Sequence, residues 1–304
     1  MSNRLTRREL LGAGLATTAG AVLGCGGARR SAPAASTASR VIKVIKKKPP
    51  GVVRFAHVPD VHMDQKAPKS VQLVKRLARV IARDHRDLDF VLFGGDNFNN
   101  NVAPGKDARQ FADIMSSLPC PYHAVRGNKE SQHAAEPRGF SLEAFRQMFG
   151  AGVQWAGRDW KLASGGVTIL GVDTTIDARG NGLFRPESLT FVKSELEANP
   201  GRQHVVLTHH PYQNFWGGTE AADLHKYVLG NGPRTLKALT AYDNLALTLS
   251  GHKHRSHVAS VSKTTVIATV GFVVPLDLET PDVRQIRVVD VGPRGVSHQM
   301  VSIS

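Results

Sequence analysis

The sequence predicts an α/β domain in which two β-sheets pack together with helices on the outside. Two observations carry this. From Val52 onward, short apolar runs alternate with helix-period stretches in the order βαβαβ, which implies parallel strands. The second half is then richer in strands, and no internal repeat or heptad pattern suggests another architecture.

The elements follow in order. "VVRFAHV" reads as a buried strand, and "KSVQLVKRLARVIARD" places Leu73, Val74, Leu77, Val80 and Ile81 on one helical face, with Ser70 as N-cap. "LDFVLFGG" is a second strand, "DARQFADIMSSL" a second helix and "PYHAVRG" a third strand. "WKLASGGVTILGVDTT" forms a hairpin turned at Ser164-Gly165-Gly166, and Pro186 opens a helix over "PESLTFVKSELEAN". "QHVVLTHH", "NLALTLSGH", "HVASVS", "TTVIATV", "VRQIRVVDV" and "VSHQMVSI" complete the strands.

The formal charge of the 304-residue chain is +14, but residues 1–54 hold eleven Lys/Arg against one Glu, leaving only +4 for the rest. The charge therefore gives no case for nucleic-acid binding by the folded part, and no nucleic-acid partner is expected. The basic excess belongs to a leader. Thr6-Arg7-Arg8-Glu9-Leu10-Leu11 resembles a twin-arginine export signal and precedes an uncharged stretch, Leu10 to Ala28, too rich in Gly and Ala to make a good permanent span. Val22-Leu23-Gly24-Cys25 resembles a lipobox, which would make Cys25 the lipidated first residue of the mature chain; ordinary cleavage after Ala32-Pro33-Ala34 is the alternative. The expected organisation is a signal peptide over 1–28, a Pro/Lys-rich linker over 29–51 and a domain over 52–304, exported by the twin-arginine machinery to the periplasm or cell surface and anchored through lipid on Cys25. The second cysteine, Cys120, is expected to be a small buried residue.

The strand ends carry the chemistry. Asp60-Val61-His62 follows the first strand, Gly94-Gly95-Asp96-Asn97 the second and Gly127-Asn128 the third; "VVLTHHP" ends in His209-His210 and "LTLSGHKH" in His252-Lys253-His254. Loops at one edge of a sheet converge in space. Their oxygen and nitrogen donors suit Mn, Fe or Zn better than Ca, and no thiolate competes.

The ordered series D-V-H, G-G-D-N, G-N-K-E, H-H-P, G-H-K-H resembles the calcineurin-like metallophosphoesterases and extends over essentially all of residues 52–304. The resemblance implies a four-layer αββα sandwich with two mixed sheets. It also implies two divalent or trivalent metal ions: Asp60, His62 and His254 on one, Asn128, His209 and His252 on the other, with Asp96 bridging. The implied activity is hydrolysis of a phosphomonoester or phosphodiester by hydroxide held between the metals.

Lys129 departs from the family pattern, where a histidine contacts the phosphate and protonates the leaving oxygen. A lysine there can still stabilise developing negative charge, and the favoured role is a simple electrostatic phosphate contact. His210 or His133 could take the acid's place. His210 is as well suited to a structural role, and Asn97 could either contact substrate or cap its loop. His57, His85, His123, His204, His257 and His298 are assigned no function. Two loops are expected at the rim, "NFNNNVAPGKD" and "PYQNFWGGTEAADLHKYVLGNG"; in the second, Tyr212, Phe215, Trp216 and His225 could stack on a leaving group or anchor the loop to the body. The alternative to an enzyme is a catalytically weakened metal- or phosphate-binding module at the cell surface, motivated by Lys129.

Overall fold

The computed structural model describes residues 47–100, 105–131, 140–177, 179–215, 219–272 and 284–303. The leader with Cys25, His133 and Trp216 lie outside the described residues.

The first strand, β1 (Val53–Val58), is buried along its whole length, Arg54 and His57 included, as befits a strand covered on both faces. It pairs in parallel with β2 (Phe90–Phe93), which pairs in parallel with β3 (Tyr122–Ala124). On its other side β1 meets β11 (Gln285–Gly292) antiparallel, and β11 meets the edge strand β12 (Gly295–Ser302). The resulting five-stranded sheet has the order β12-β11-β1-β2-β3.

The second sheet has seven strands, ordered β4-β5-β6-β7-β8-β10-β9. Its short edge strand β4 (Gln154–Ala156) precedes the expected hairpin of β5 (Asp159–Ser164) and β6 (Val167–Gly171), whose last register pair, Ser164 with Val167, brackets Gly165-Gly166. Then β6, β7 (Gln203–Leu207), β8 (Leu245–Ser250) and β10 (Thr264–Ala268) run parallel, and β9 (His257–Val261) closes the far edge antiparallel.

Three apolar layers separate four structural layers. Between the sheets lie Phe55, Phe90, Leu92, Trp160, Ile169, Leu207, Leu247 and Val289. Outside the five-stranded sheet, Val58, Val91 and Phe93 pack on helices α1 (Pro68–Asp84), α2 (Lys106–Met115) and α4 (Leu142–Phe149). Outside the seven-stranded sheet, Leu170, Val206 and Leu245 pack on α5 (Pro186–Ala198) and α6 (Gly232–Leu239). Fully burying one such side chain contributes roughly 1.5–3 kcal/mol, so each layer is strongly held. The αββα sandwich of two mixed sheets is the expected fold.

Two local expectations are corrected. Ser70 lies inside α1, which Pro68 opens, and Ala67 is its N-cap. The Ser70 hydroxyl instead accepts from the Asp64 backbone N–H at 2.9 Å and donates to the His62 carbonyl, tying the helix start to the loop after β1. Leu73 is only partly buried, whereas Val71, Val74, Leu77, Ala78 and Ile81 form the inner face. The pattern did not disclose α4, α6 or the four-residue helix α3 (Asn128–Ser131), because one to two turns hold too few apolar positions to display a period. No helix among the described residues is long and apolar enough to cross a membrane.

Candidate metal centre

The parallel strands of both sheets deliver their carboxyl ends to one place. After β1, the Asp60 and His62 N–H groups donate to the carbonyls of Gly95 and Asp96 at 2.9 and 2.8 Å, so the loops after β1 and β2 are stitched together. The Gly251 N–H donates to the His209 carbonyl at 3.0 Å, joining the loops after β7 and β8. Between the two sheets, the His252 N–H donates to both Asp60 carboxylate oxygens at 2.9 and 3.0 Å. Gly127 and Gly251 allow this approach, since a Cβ on either would collide with the carboxylate of Asp96 or Asp60.

Five residues here carry left-handed backbone: Asp60 (φ 53°), His62 (48°), Asp96 (52°), His252 (64°) and His254 (55°). A non-glycine residue in this region costs of order 1 kcal/mol, and such costs collect where function needs a side chain aimed against local preference.

The side chains form two groups. In one, His62 Nε2 and His254 Nε2 face each other at 3.1 Å, and Asp60 Oδ1 lies 3.4 Å from His254 Nε2 and 4.0 Å from His62 Nε2. In the other, His209 Nε2 lies 3.1 Å from both His252 Nδ1 and Asn128 Oδ1. Asp96 stands between them, with Oδ2 3.7 Å from His62 Nε2 and Oδ1 3.5 Å from His209 Nε2. Asp60, His62, Asp96, Asn128 and His209 are buried, whereas His252 and His254 are partly buried.

Hydrogen bonds behind the imidazoles fix which nitrogen faces inward. His62 Nδ1 donates to Asn99 Oδ1 at 2.9 Å, and Asn99 is oriented by donating its amide to Asp64 Oδ2 at 3.3 Å. His209 Nδ1 donates to the Gly94 carbonyl and His252 Nε2 to the Lys226 carbonyl, both at 2.9 Å. The inward nitrogens of His209 and His252 therefore present lone pairs to each other. That arrangement is repulsive by itself and becomes favourable around a cation, so the donor set fits metal ions. Burial, before any neighbouring charge, lowers the proton affinity of His62 and takes His252 down to about 4. Burial pushes the Asp60 carboxyl up, but the facing imidazoles of His254, His209 and His62 outweigh it and hold the group ionised.

Similarity to known proteins agrees with this geometry. The family described as calcineurin-like phosphoesterase matches residues 53–256, about two thirds of the chain. The chain belongs to the calcineurin-like phosphoesterase family. A curated relative named probable glycerophosphodiester phosphodiesterase GpdQ, from Arcobacter nitrofigilis, is 22% identical over 192 residues, 62% of this chain. The match spans 66% of that relative's length, just under two thirds. Among solved structures, a dimetal phosphatase from Danio rerio aligns with TM-score 0.61 at 12% identity, covering 83% of this chain and 99% of the other. Purple acid phosphatase PPD1 from yellow lupin aligns with TM-score 0.62 at 14% identity, covering 83% of this chain and 52% of the other. GAP50, the anchor in the inner membrane complex of Plasmodium, aligns with TM-score 0.55 at 14% identity, covering 85% of this chain and 86% of the other. At these identities the structures speak for the fold alone.

In this calcineurin-like phosphoesterase the other expected site residues divide. Lys129 stays at the centre: it is partly buried and its backbone N–H donates to Asp96 Oδ1 at 2.7 Å. His210 lies beside the centre, its ring 4.5 Å from that of His252, and it forms a further three-histidine group with His209 and His252. Both its ring nitrogens are engaged, however, Nδ1 with Thr174 Oγ1 at 2.9 Å and Nε2 with the Gly180 carbonyl at 3.1 Å. Its placement is that of a structural pillar rather than a replacement acid. Asn97 is corrected too: it is fully buried and its amide donates to the Val125 carbonyl at 3.3 Å, so it does not face a substrate.

Two of the expected rim aromatics, Tyr212 and Phe215, anchor the loop. Tyr212 is buried in the outer apolar layer against Phe184, and Phe215 stacks on His257 with ring centroids 5.4 Å apart. Cys120 is only partly buried, at the margin of the α1/α2 core, and burial raises its thiol to about 11.

Several supporting residues escaped sequence reasoning. Glu130 is wholly buried and accepts from the N–H groups of Gly127 (2.7 Å), Asp96 (3.0 Å) and Asn97 (2.6 Å), clamping the loops after β2 and β3 together. Burial, and then the Asp96 charge, raises its carboxyl to about 7. Arg126 donates to Asp173 Oδ2 at 2.6 and 2.9 Å, fastening the Asn128 loop to the end of β6. Glu130 and Arg126 flank Asn128 in "RGNKE", so adjacency to a ligand was the available signal.

Proposed function

We propose that this metallophosphoesterase holds two metal ions and hydrolyses a phosphomonoester or phosphodiester. The observation that carries the reading is the stance of Asp96, whose two carboxylate oxygens each address a different donor group. Asp60, His62 and His254 would hold one ion, Asn128, His209 and His252 the other, with Asp96 shared; Mn, Fe or Zn suit this set. Two ions so held would acidify water and draw charge from the phosphoryl oxygens. The chain's own contribution is rigidity: left-handed loops, fixed imidazole tautomers and the Glu130 clamp hold the donors in place before anything binds. Lys129 supplies a positive charge beside the reacting phosphate.

The test is turnover of p-nitrophenyl phosphate and bis(p-nitrophenyl) phosphate by protein with both metals verified by elemental analysis. Turnover of either supports the enzyme. Its absence with both ions bound favours the alternative, a weakened metal- or phosphate-binding module, which the lysine at position 129 motivates. Export and anchoring belong to the same proposal. Replacing Arg7 and Arg8 by lysine should keep the protein in the cytoplasm, and Cys25→Ser should release it from the membrane fraction; no change in either would refute that part.

A further inference from the structure

Beside the imidazoles of His210 and His252 opens a cavity of about 430 Å³ lined by Arg179, Gly180, Asn181, His225 and Lys226. It is linked to the metal centre through the outer side of one expected ligand, His252, and through His210, which stands beside the centre. The Gly180 carbonyl accepts from His210 Nε2, and the Lys226 carbonyl accepts from His252 Nε2. Among the described residues, the ionisable side chains lining it are all basic. Lys226 Nζ is partly neutralised by Asp223 at 2.6 Å, and His225 Nδ1 donates to the Ala222 carbonyl at 2.7 Å, leaving its Nε2 to the cavity or solvent. Arg179 and Asn181 differ. Among the described residues nothing pairs with the Arg179 guanidinium, and the half-buried Asn181 amide has no hydrogen-bond partner.

A planar guanidinium with five donors, an amide and an ammonium around one small space make a recognition surface for carboxylate or phosphate oxygens. The geometry points to a subsite for a second anionic group: the substrate carries a carboxylate or phosphate besides the phosphoryl group held at the metals, and Arg179 and Asn181 select for it. This rests on the phosphoesterase reading for the position of the first phosphoryl group.

The experiment uses the full metal-loaded chain and two matched probe pairs. The first pair is phenyl phosphate and 4-(phosphonomethyl)phenyl phosphate, compared by kcat/KM. The second is benzylphosphonate and 4-carboxybenzylphosphonate, which are not hydrolysed, compared by calorimetric Kd. The doubly anionic member of each pair should be favoured roughly tenfold, and Arg179→Glu should erase that preference, with Asn181→Ala reducing it. Equal values for both members, or a preference that survives Arg179→Glu, overturns the subsite. If no ester turns over but the binding preference and its loss in Arg179→Glu remain, the subsite stands and the enzymatic reading falls.

Discussion

His62 Nε2 and His254 Nε2 face each other at 3.1 Å although 192 positions separate them in sequence. The packing of both loops brings the two ring nitrogens within hydrogen-bonding distance, and a cation would turn the contact into coordination. Exhaustive chelation should therefore lower the thermal midpoint, and Mn, Fe or Zn should restore it. At a hundred times Kd, one site adds about 2.7 kcal/mol. A His62→Ala chain should retain about one metal per protein by elemental analysis. A midpoint indifferent to all three metals would contradict the arrangement.

Asn99 touches no metal position itself but accepts the His62 Nδ1 proton and is oriented by Asp64. Asn99→Ala should weaken metal affinity roughly 10–100-fold, measured by competition with a chromophoric chelator, with little change in the unfolding of the metal-free chain. Unchanged affinity would show that His62 needs no such support.

Lys129 is the departure within the ligand series. Lys129→Ala should lower kcat/KM on aryl phosphates by about 10–100-fold through lost charge stabilisation. Lys129→His should gain rate only on esters of poor leaving groups, read as a shallower dependence of log kcat on leaving-group pKa. A uniform gain on all esters would exclude the missing-acid explanation.

Glu130 satisfies three backbone donors at once. Glu130→Gln places an amide hydrogen against at least one of them and should cost about 1–3 kcal/mol in urea unfolding. A loss below a few tenths of a kcal/mol would mean that the clamp relaxes freely.

Acid should destabilise the metal-free protein. Burial holds His57 at about 3 and His123 at about 4, against an ordinary 6.5. Both are neutral in the fold and protonated when unfolded, so unfolding takes up protons and stability falls as pH drops below about 6.5. The slope is ~1.4 kcal/mol per pH unit for each such group. Glu130 acts in the opposite sense: raised to about 7 from 4.5, it binds its proton more readily folded than unfolded, which favours the fold as pH falls from 7 to 4.5. Glu130→Gln should therefore steepen the acid loss between pH 4.5 and 6.5. Parallel profiles for the two proteins would refute this assignment.

By itself the sequence determined most of the succession of strands and long helices along the chain and the residue types at the strand ends; the order of strands within each sheet came from the tertiary structure. Hydrophobic period is a local property, and parallel strands must bring their carboxyl ends to one edge. It also placed Asp60, His62, Asp96, Asn128, His209, His252 and His254 in loops able to meet. Only the tertiary structure decided which atoms face which. The left-handed turns at Asp60, Asp96 and His252, the inward nitrogen of each imidazole and the withdrawal of Asn97 and His210 depend on backbone carbonyls from distant loops. The same holds for Asn99 behind His62 and for the basic cavity joining residues 179–181 to 225–226. Those relationships are set at 3 to 4 Å by two sheets packing across an apolar core, a scale on which neighbours along the chain carry no information.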